Sequence, residues 1–528
     1  MRVLGIDLST SSICLGALLL ILLHYAWEQI FQRSKNGAKL PPGPRPWPII
    51  GNLLDMPKPS GRATKHWTQH CEKYGPISTL NVFGNTFIII NDEKIAADLL
   101  EKRPGKFSGR PRFPFFVEVM GVEGSWMVLQ HDDRHRAFRR YAHAAIGTIG
   151  FVDRWAEPID IETRRYLLKL LQRPDDFEQH ISYENAAVSA QALYGYTVDP
   201  VGQDPLVKSI SDLNDHFNAA VGPGRWLVDT IPALKHVPEW MPGALFKRIG
   251  REWKKDTDDS TNVPYNFAKE QIRNGTARPS LVATAFAKSD GKLSEDDEWN
   301  LKWSAISLFI GATDTTKSQL QILFLDLAIH PDAQRKAQAE IDAVVGTSRL
   351  PNASDRSNLP YVEAYFKEIV RWESIGALSV PRAATEEDYY EGYWIPKGST
   401  ILTHLNGMLH HDGRHKDPYT FRPERFLGPD AEGSPFDLAF GHGRRICPGR
   451  YLADANLWMM VVRTLAAFNV TAIKGQEPKV DFVPGFVEHP KPFKVDIKIR
   501  SEQHEALVEA VEVEHPSRGG DAHLLRWD

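Results

Sequence analysis

Cysteine is nearly absent from this sequence. Only Cys14, Cys71 and Cys447 occur among 528 residues, with no CxxC pair and no Cys/His cluster. That scarcity excludes a disulfide framework and a structural zinc site, and it fits a reducing compartment. An excess of one charge is missing too. Lys and Arg number 63 against 67 Asp and Glu, a formal net charge of −4, so there is no basic surplus to bind nucleic acid. No GxGxxG turn links a strand to a helix, which leaves no fingerprint for a nicotinamide or flavin. No internal repeat is found. The remaining composition, 42% hydrophobic and 25% charged, is that of a globular chain with enough core to enclose a cofactor.

Long apolar runs are scarce, with one exception near the amino terminus. Residues 8–27 carry no charge, and about 20 apolar residues span a bilayer core. We read this stretch as one transmembrane helix. A cleaved signal peptide is the competing reading, but no small-x-small cleavage site follows. Arg33, Lys35 and Lys39 come next, and basic residues on that flank place the body of the protein in the cytosol. Residues 1–39 are thus a membrane anchor and basic linker. Residues 40–500 form the body, opening on the proline-rich stretch 40–48, a stiff hinge or an ordinary linker. Residues 501–528 are a polar tail, expected to be poorly ordered.

The body reads as mainly α with small β sheets. Segments 77–82 and 86–90 look like a strand pair around Phe83-Gly84-Asn85. Spaced apolar residues predict helices over 93–103, 131–146, 157–172, 179–195 and 205–221. A long helix is expected over 296–330, ending at Pro331, with others over 332–345, 360–372 and 448–468. Pro381, Gly392, Pro396 and Gly398 break 380–403 into short strands and turns.

The strongest chemical signal is the stretch from Phe440 to Arg450. A lone cysteine is usually a small buried hydrophobe, but Cys447 lies among Gly441, Gly443 and Gly449. Such glycines let backbone approach a flat ligand closely. Amide N–H groups and a following helix start both favour a thiolate. Arg445 is positioned to meet a carboxylate. Phe440, Gly443, Arg445, Cys447 and Gly449 fill every fixed position of FxxGxRxCxG, and the segment resembles the cysteine loop of the cytochrome P450 family. The resemblance implies the cytochrome P450 fold, haem b held by Cys447 as axial iron ligand, and Arg445 on a haem propionate. Thiolate donation of this kind favours O–O cleavage.

Three further segments agree. Glu368 and Arg371, at i and i+3, meet on one helix face. Such a pair is commonly an inconsequential surface ion pair, but here it resembles the family's ExxR motif, with Arg422 or Arg425 downstream and Arg425 the match within Pro423-Glu424-Arg425-Phe426. Their implied role is structural. Gly311-Ala312-Thr313-Asp314-Thr315-Thr316 interrupts an apolar helix with poor helix formers. It reads as a solvated face, a kink or a functional turn. It resembles the family's oxygen-activation motif, with Ala312 in place of a glycine. Thr315 then stands beside bound oxygen and Asp314 resupplies protons. In 133–140 a charged helix face is the plain reading. The family's WxxxR motif is matched at Arg139, with His135 where tryptophan is expected. Arg382, after Pro381, occupies another propionate-binding position.

The resemblance implies a monooxygenase using O2 and electrons from NADPH through a partner reductase, with cytochrome b5 as a second donor. Arg134, Arg136, Arg140, Arg444 and Arg450 offer a basic face to such an acidic partner, or a merely solvated surface. By family position the substrate pocket takes Phe113, Phe115, Phe116, Met120, Gly311, Ala312, Ile375, Ala377, Leu378, Val380, Gly485 and Phe486, each of which core packing explains equally well. The segment 226–243 is expected to dip into the membrane. Residues 40–500 resemble fungal microsomal members of secondary metabolism, which implies the endoplasmic reticulum membrane and a terpenoid or related natural product. The alternatives are a haem-thiolate isomerase, dehydratase or peroxygenase and, outside enzymes, a haem sensor or carrier.

Overall fold

The strand pair forms where the pattern of 77–90 predicts it. After helix α1 (Ala63–Tyr74), strands β1 (Ile77–Val82) and β2 (Asn85–Ile90) run antiparallel. Phe83 and Gly84 take positive φ of 49° and 83°, the geometry of a two-residue hairpin turn. This computed structural model describes residues 2–3, 6–7, 16, 37–58, 62–200, 203–221, 225–516 and 519–527. The proposed transmembrane run 8–27 lies outside the described residues apart from Gly16. Among the described residues no helix is long and apolar enough to cross a membrane.

Helices dominate the rest. The longer ones are α2 (Glu93–Leu100), α3 (Asp133–Ile146), α4 (Ala156–Gln172), α5 (Phe177–Tyr194), α6 (Pro205–Ala220), α7 (Leu245–Arg273), α8 (Glu295–Ile329), α9 (Pro331–Val344), α10 (Pro360–Trp372), α11 (Arg450–Ala467) and α12 (Glu502–Glu514). Strand β2 also pairs in parallel with β6 (Thr400–Thr403), which pairs with β3 (Arg382–Ala383). Two-stranded sheets join β4 (Asp388–Tyr390) to β5 (Tyr393–Ile395), β7 (Phe468–Ala472) to β10 (Val495–Ile499), and β8 (Phe482–Val483) to β9 (His489–Pro490).

Helix α8 is the axis of the body. Ser294 caps it, its Oγ accepting from the Asp297 N–H at 3.1 Å. Glu295, Asp296, Asp297 and Glu298 fill the first turn, where acidic groups oppose the helix dipole. Pro331 ends it. Its second half, with Leu320, Ile322, Leu323, Phe324, Leu325 and Leu327, is buried on all sides, as befits a central helix without a polar face. It packs against α5, α3, α6 and α11.

Two segments depart from expectation. Helix α7 continues through Pro264. Apolar residues at helical spacing, Phe246, Ile249, Trp253 and, beyond the proline, Phe267 and Ala268, mark one face of it; Pro264 alone argues against an unbroken helix, and packing against its neighbours sustains it. Gly250 lets it approach closely, since a Cβ there would lie 2.3 Å from the Val119 side chain. The tail, expected to lack order, contains α12. Ser501 caps it, Val508 and Val511 are buried, and Arg164 pairs with Glu514 at 2.6 Å. Val508 and Val511, with the buried His504, make the small face that docks on α4.

Candidate active site

The cysteine loop runs from α10's neighbourhood to the start of α11. Gly441 and Gly443 take φ of 75° and 55°. A side chain at Gly443 would put its Cβ 2.4 Å from the Leu100 carbonyl oxygen, so glycine is required there for two reasons. The turn closes through the Cys447 N–H, which donates to the Phe440 carbonyl at 2.8 Å. Gly449 is the N-cap of α11. Burial pushes the Cys447 thiol up, while the Gly449 N–H and the Arg139 and Arg450 guanidinium groups pull it down. Iron at the sulfur would override that balance by displacing the proton outright.

The sequence motif from Glu368 to Arg371 is buried to 0% exposure for both side chains. Arg371 Nε and Nη2 donate to the Glu368 carboxylate at 2.7 and 2.9 Å, and its Nη1 to Pro418 O at 2.6 Å. By spacing both Arg422 and Arg425 are candidate partners, and the resemblance picks Arg425. The structure brings the Arg425 side chain to Glu368 at 3.1 Å and to Glu432 at 2.9 Å, whereas Arg422 offers Glu368 only its backbone N–H at 2.7 Å. Every charge in this cluster meets an opposite one.

A second cluster has no such closure. Arg110, Arg382 and Arg445 are buried, and among the described residues none of them forms an ion pair. Arg445 donates to Ser108 O and Leu129 O, both at 2.7 Å, Arg382 to His442 O at 2.7 Å, and Arg110 to Pro381 O at 2.6 Å. Arg110 Nε, Arg382 Nη1 and Arg445 Nη1 remain buried without an acceptor, as do Trp126 Nε1 and His135 Nε2. Burial pushes Arg382 and Arg445 down to about 10; Arg445 lowers Arg382 further. Arg110 is depressed well below the usual arginine value, by burial and then by Arg445 and Arg382. Three buried like charges with spare donors are costly unless an anion joins them. A haem has two propionates, and this donor set fits them. His135 is pushed down to about 3 by burial and by Arg445, His131, Arg139 and Arg110, so it is neutral. Arg139 is placed differently: its Nη1 donates to Ile446 O at 2.8 Å, on the cysteine side.

Near its middle α8 changes character. Gly311 is exposed although its helix is central, and a Cβ on it would meet nothing within 4 Å. Ala312 and Thr315 are half-buried. The Thr315 hydroxyl donates to Gly311 O at 2.6 Å, a back-bond that occupies its proton within the helix. Asp314 does not touch Thr315's hydroxyl. Its carboxylate accepts from Asn218 Nδ2 at 2.9 Å and lies 3.1 Å from His489 Nε2.

The remaining positions divide. Phe113, Ile375, Val380 and Phe486 are half-buried and Gly485 is exposed. Phe115 and Phe116 are engaged elsewhere: Phe115 stacks on Trp226 at 3.8 Å and Phe116 meets Phe217 edge-on at 4.6 Å. Met120 is fully buried with them. Ala377 and Leu378 pack on the sheet side with Trp67, Leu80 and Ile89. Of the basic face, Arg140 is exposed, Arg134 covers Trp299 at 4.0 Å, Arg136 pairs with Asp133, Arg444 reaches His131 at 2.8 Å and Arg450 reaches the Tyr451 hydroxyl at 2.7 Å. Sequence reading missed Arg110, Trp126, Asn218 and His489. Gly109-Arg110-Pro111 beside a strand is a faint signal for the first. Nothing local marks the others, whose partners are distant in sequence.

Residues 41–497 match the family profile described as Cytochrome P450. The chain is 39% identical over 495 residues to the cytochrome P450 monooxygenase ppsD of Aspergillus oryzae, covering 92% of this chain and 94% of that one. It is 38% identical to the cytochrome P450 monooxygenase claR of Ampulloclitocybe clavipes, over 96% and 95% of the two chains. To the O-methylsterigmatocystin oxidoreductase of Aspergillus flavus it is 34% identical, over 97% and 96%. With the cysteine loop, the closed Glu368 cluster and the open arginine cluster in one body, this chain belongs to the cytochrome P450 family and is a haem-thiolate monooxygenase.

Proposed function

We propose that Cys447 holds the haem iron and that Arg110, Arg382 and Arg445, with Trp126 and His135, hold the propionates. The buried donors without acceptors around the three arginines carry this reading. The haem supplies reductive activation of O2 when bound. The chain's residues orient and protonate. The cysteine loop fixes the sulfur through the Cys447 N–H to Phe440 O bond. Arg139 stands beside the loop and favours negative charge on that sulfur. Glu368, Arg371 and Arg425 keep the proximal core rigid. Gly311 and Ala312 leave room on the distal side, Thr315 presents a hydroxyl there, and Asp314 supplies its protons.

The substrate is a hydrophobic small molecule, a terpenoid or related natural product of a secondary-metabolite pathway. It would meet Phe113, Gly311, Ala312, Ile375, Val380, Gly485 and Phe486. Phe115, Phe116 and Met120 shape that roof from behind. Electrons come from an NADPH-dependent reductase, with cytochrome b5 as a second donor, across the face of Arg140, Arg444 and Arg450. The setting is the endoplasmic reticulum membrane, reached through an amino-terminal anchor, and exposed apolar groups favour contact of the segment 226–243 with it. Leu227, Ile231, Trp240, Met241 and Leu245 all face outward, Trp240 at 81% exposure. Trp226 faces inward on Phe115.

The test is spectroscopic and then chemical. The reduced, carbon-monoxide-treated protein should show the long-wavelength Soret band of sulfur ligation, and Cys447→Ser should lose it. Expression beside a reductase should convert a candidate terpenoid to a product one oxygen heavier. A wild-type protein without that band would end the proposal.

A further inference from the structure

His489 is the residue with an unexplained arrangement. It begins β9 and touches two side chains of α8, Asp314 and Gln321, which lie two helical turns apart on one face. Its Nδ1 is 2.8 Å from Gln321 Oε1, and its Nε2 is 3.1 Å from Asp314 Oδ1. The direction of these bonds follows from their neighbours. Gln321 Nε2 donates to Glu178 Oε2 at 2.8 Å. A carboxylate only accepts, so the amide oxygen of Gln321 must face His489. That oxygen also only accepts, so the hydrogen sits on His489 Nδ1. Nε2 then meets a carboxylate oxygen, and two bare acceptors do not face each other at 3.1 Å without a proton between them. Asn218 is fixed by the same logic: its Oδ1 accepts the Val487 N–H at 2.9 Å, and its Nδ2 donates to Asp314 Oδ2 at 2.9 Å. One oxygen of Asp314 is therefore committed to Asn218, and the other shares a proton with His489.

This pair borders a cleft of about 230 Å³, lined also by Glu178, Asp215, Lys317 and Gln321. Asp215 of that lining is exposed, so the cleft opens to solvent, and His489 itself is 21% exposed. We propose that His489 and Asp314 hold one proton between them, and that His489 recharges Asp314 with protons drawn from this cleft. The proposal rests on Asp314 being the acid of oxygen activation. The shared proton moves from Nε2 to Oδ1, and Asp314 then releases it towards the distal cavity. The imidazole is left neutral, with its Nδ1–H still on Gln321. A solvent proton carried by cleft water then returns to Nε2. One proton crosses and no electron moves. The charged groups lining the cleft beside the pair are Lys317 of α8, Glu178 of α5 and Asp215 of α6; Glu488, the residue before His489, is held instead by Arg62 at 3.0 Å.

The test uses haem-loaded full-length protein with reductase and no added substrate, so that O2 reduction by NADPH is followed directly. His489→Gln keeps a hydrogen-bond donor for Asp314 but cannot relay. It should retain the carbon-monoxide band and the melting temperature, yet oxidise NADPH about tenfold more slowly, against the ~10²-fold or more that loss of a direct acid gives. It should also flatten the pH profile, enlarge the solvent deuterium effect and raise the peroxide share. Asp314→Asn should be slower, and the double variant no slower than Asp314→Asn. In histidine-¹⁵N-labelled ferrous carbon-monoxide protein, the His489 signals should report a proton on Nδ1. Wild-type rates and pH profile in His489→Gln, with Asp314→Asn slow, would overturn the relay and leave the acid standing. An unaffected Asp314→Asn would overturn the acid itself. Should His489→Gln not fold, Gln321→Leu frees Nδ1 from its acceptor, and an unchanged pH profile there would overturn the relay.

Discussion

Two buried groups of arginines lie in this molecule, and they are opposite in kind. Around Glu368, Arg371 and Arg425 each charge has a counter-charge and each guanidinium finds carbonyls as well. Around Arg110, Arg382 and Arg445 the described residues offer carbonyls and no carboxylate partner, and three donor atoms are left over. Both groups are desolvated to a similar degree. A fold tolerates the second only because something outside the chain completes it, whereas the first is complete when the chain folds. Closed charge clusters therefore report on stability, and open ones on ligands.

The largest effect that would sharpen this contrast is expected at Glu368. Glu368→Ala leaves the buried Arg371 guanidinium unopposed and Arg425 with Glu432 alone, and should cost about 3–5 kcal/mol, equally with and without haem, measured by melting of both forms. A loss confined to the haem-loaded form would break the distinction. Next come Arg110→Met and Arg445→Met. Each removes a charge that repels its neighbours, so the haem-free protein should melt no lower, and higher for Arg110→Met. Haem retention should fall by about tenfold, in line with one lost charge-assisted hydrogen bond of roughly 1.5–3 kcal/mol. Competition with apomyoglobin would read the retention.

A smaller effect is expected with pH. His135 is held down to about 3 from 6.5, so between those values the unfolded chain binds the proton more readily than the fold does. The stability of the neutral ring is present above pH 6.5 and is lost as pH falls towards 3, by up to about 1.4 kcal/mol per unit. His135→Gln should make the haem-free protein less sensitive over that window. An identical acid slope would mean that His135 does not belong to the open cluster. The smallest effect is expected at the rim. Arg140→Glu with Arg444→Glu should slow reduction by the reductase severalfold and reverse its salt dependence, without moving either melting temperature. Unchanged reduction kinetics would remove this face as the docking surface.

How much was legible beforehand follows the same division. The helices with regular apolar spacing stand where their pattern put them, and the cysteine loop could be read because its glycines and arginine are local. Helix α7 was hidden by Pro264, which argues against an unbroken helix, and α12 by a polar composition with only a small buried face of His504, Val508 and Val511. Among site residues, Glu368 and Arg371 are one turn apart and could be paired on sight. Between Arg422 and Arg425, resemblance to the family's motif picked Arg425; spacing alone could not, because both are close enough and only side-chain direction separates them.

Neighbours in the chain write the local chemistry without help from the fold: a cysteine in a tight glycine loop, a carboxylate one helical turn from an arginine, and an acid beside a hydroxyl in a central helix. Tertiary structure alone decided which way those groups turn and what they meet. Asp314 faces Asn218 and His489 rather than Thr315, and Arg110 joins Arg382 and Arg445. The physical reason is range. Covalent spacing fixes contacts over a turn or a bend, while hydrogen-bond direction and the pairing of buried charge depend on segments that meet only after the chain has packed.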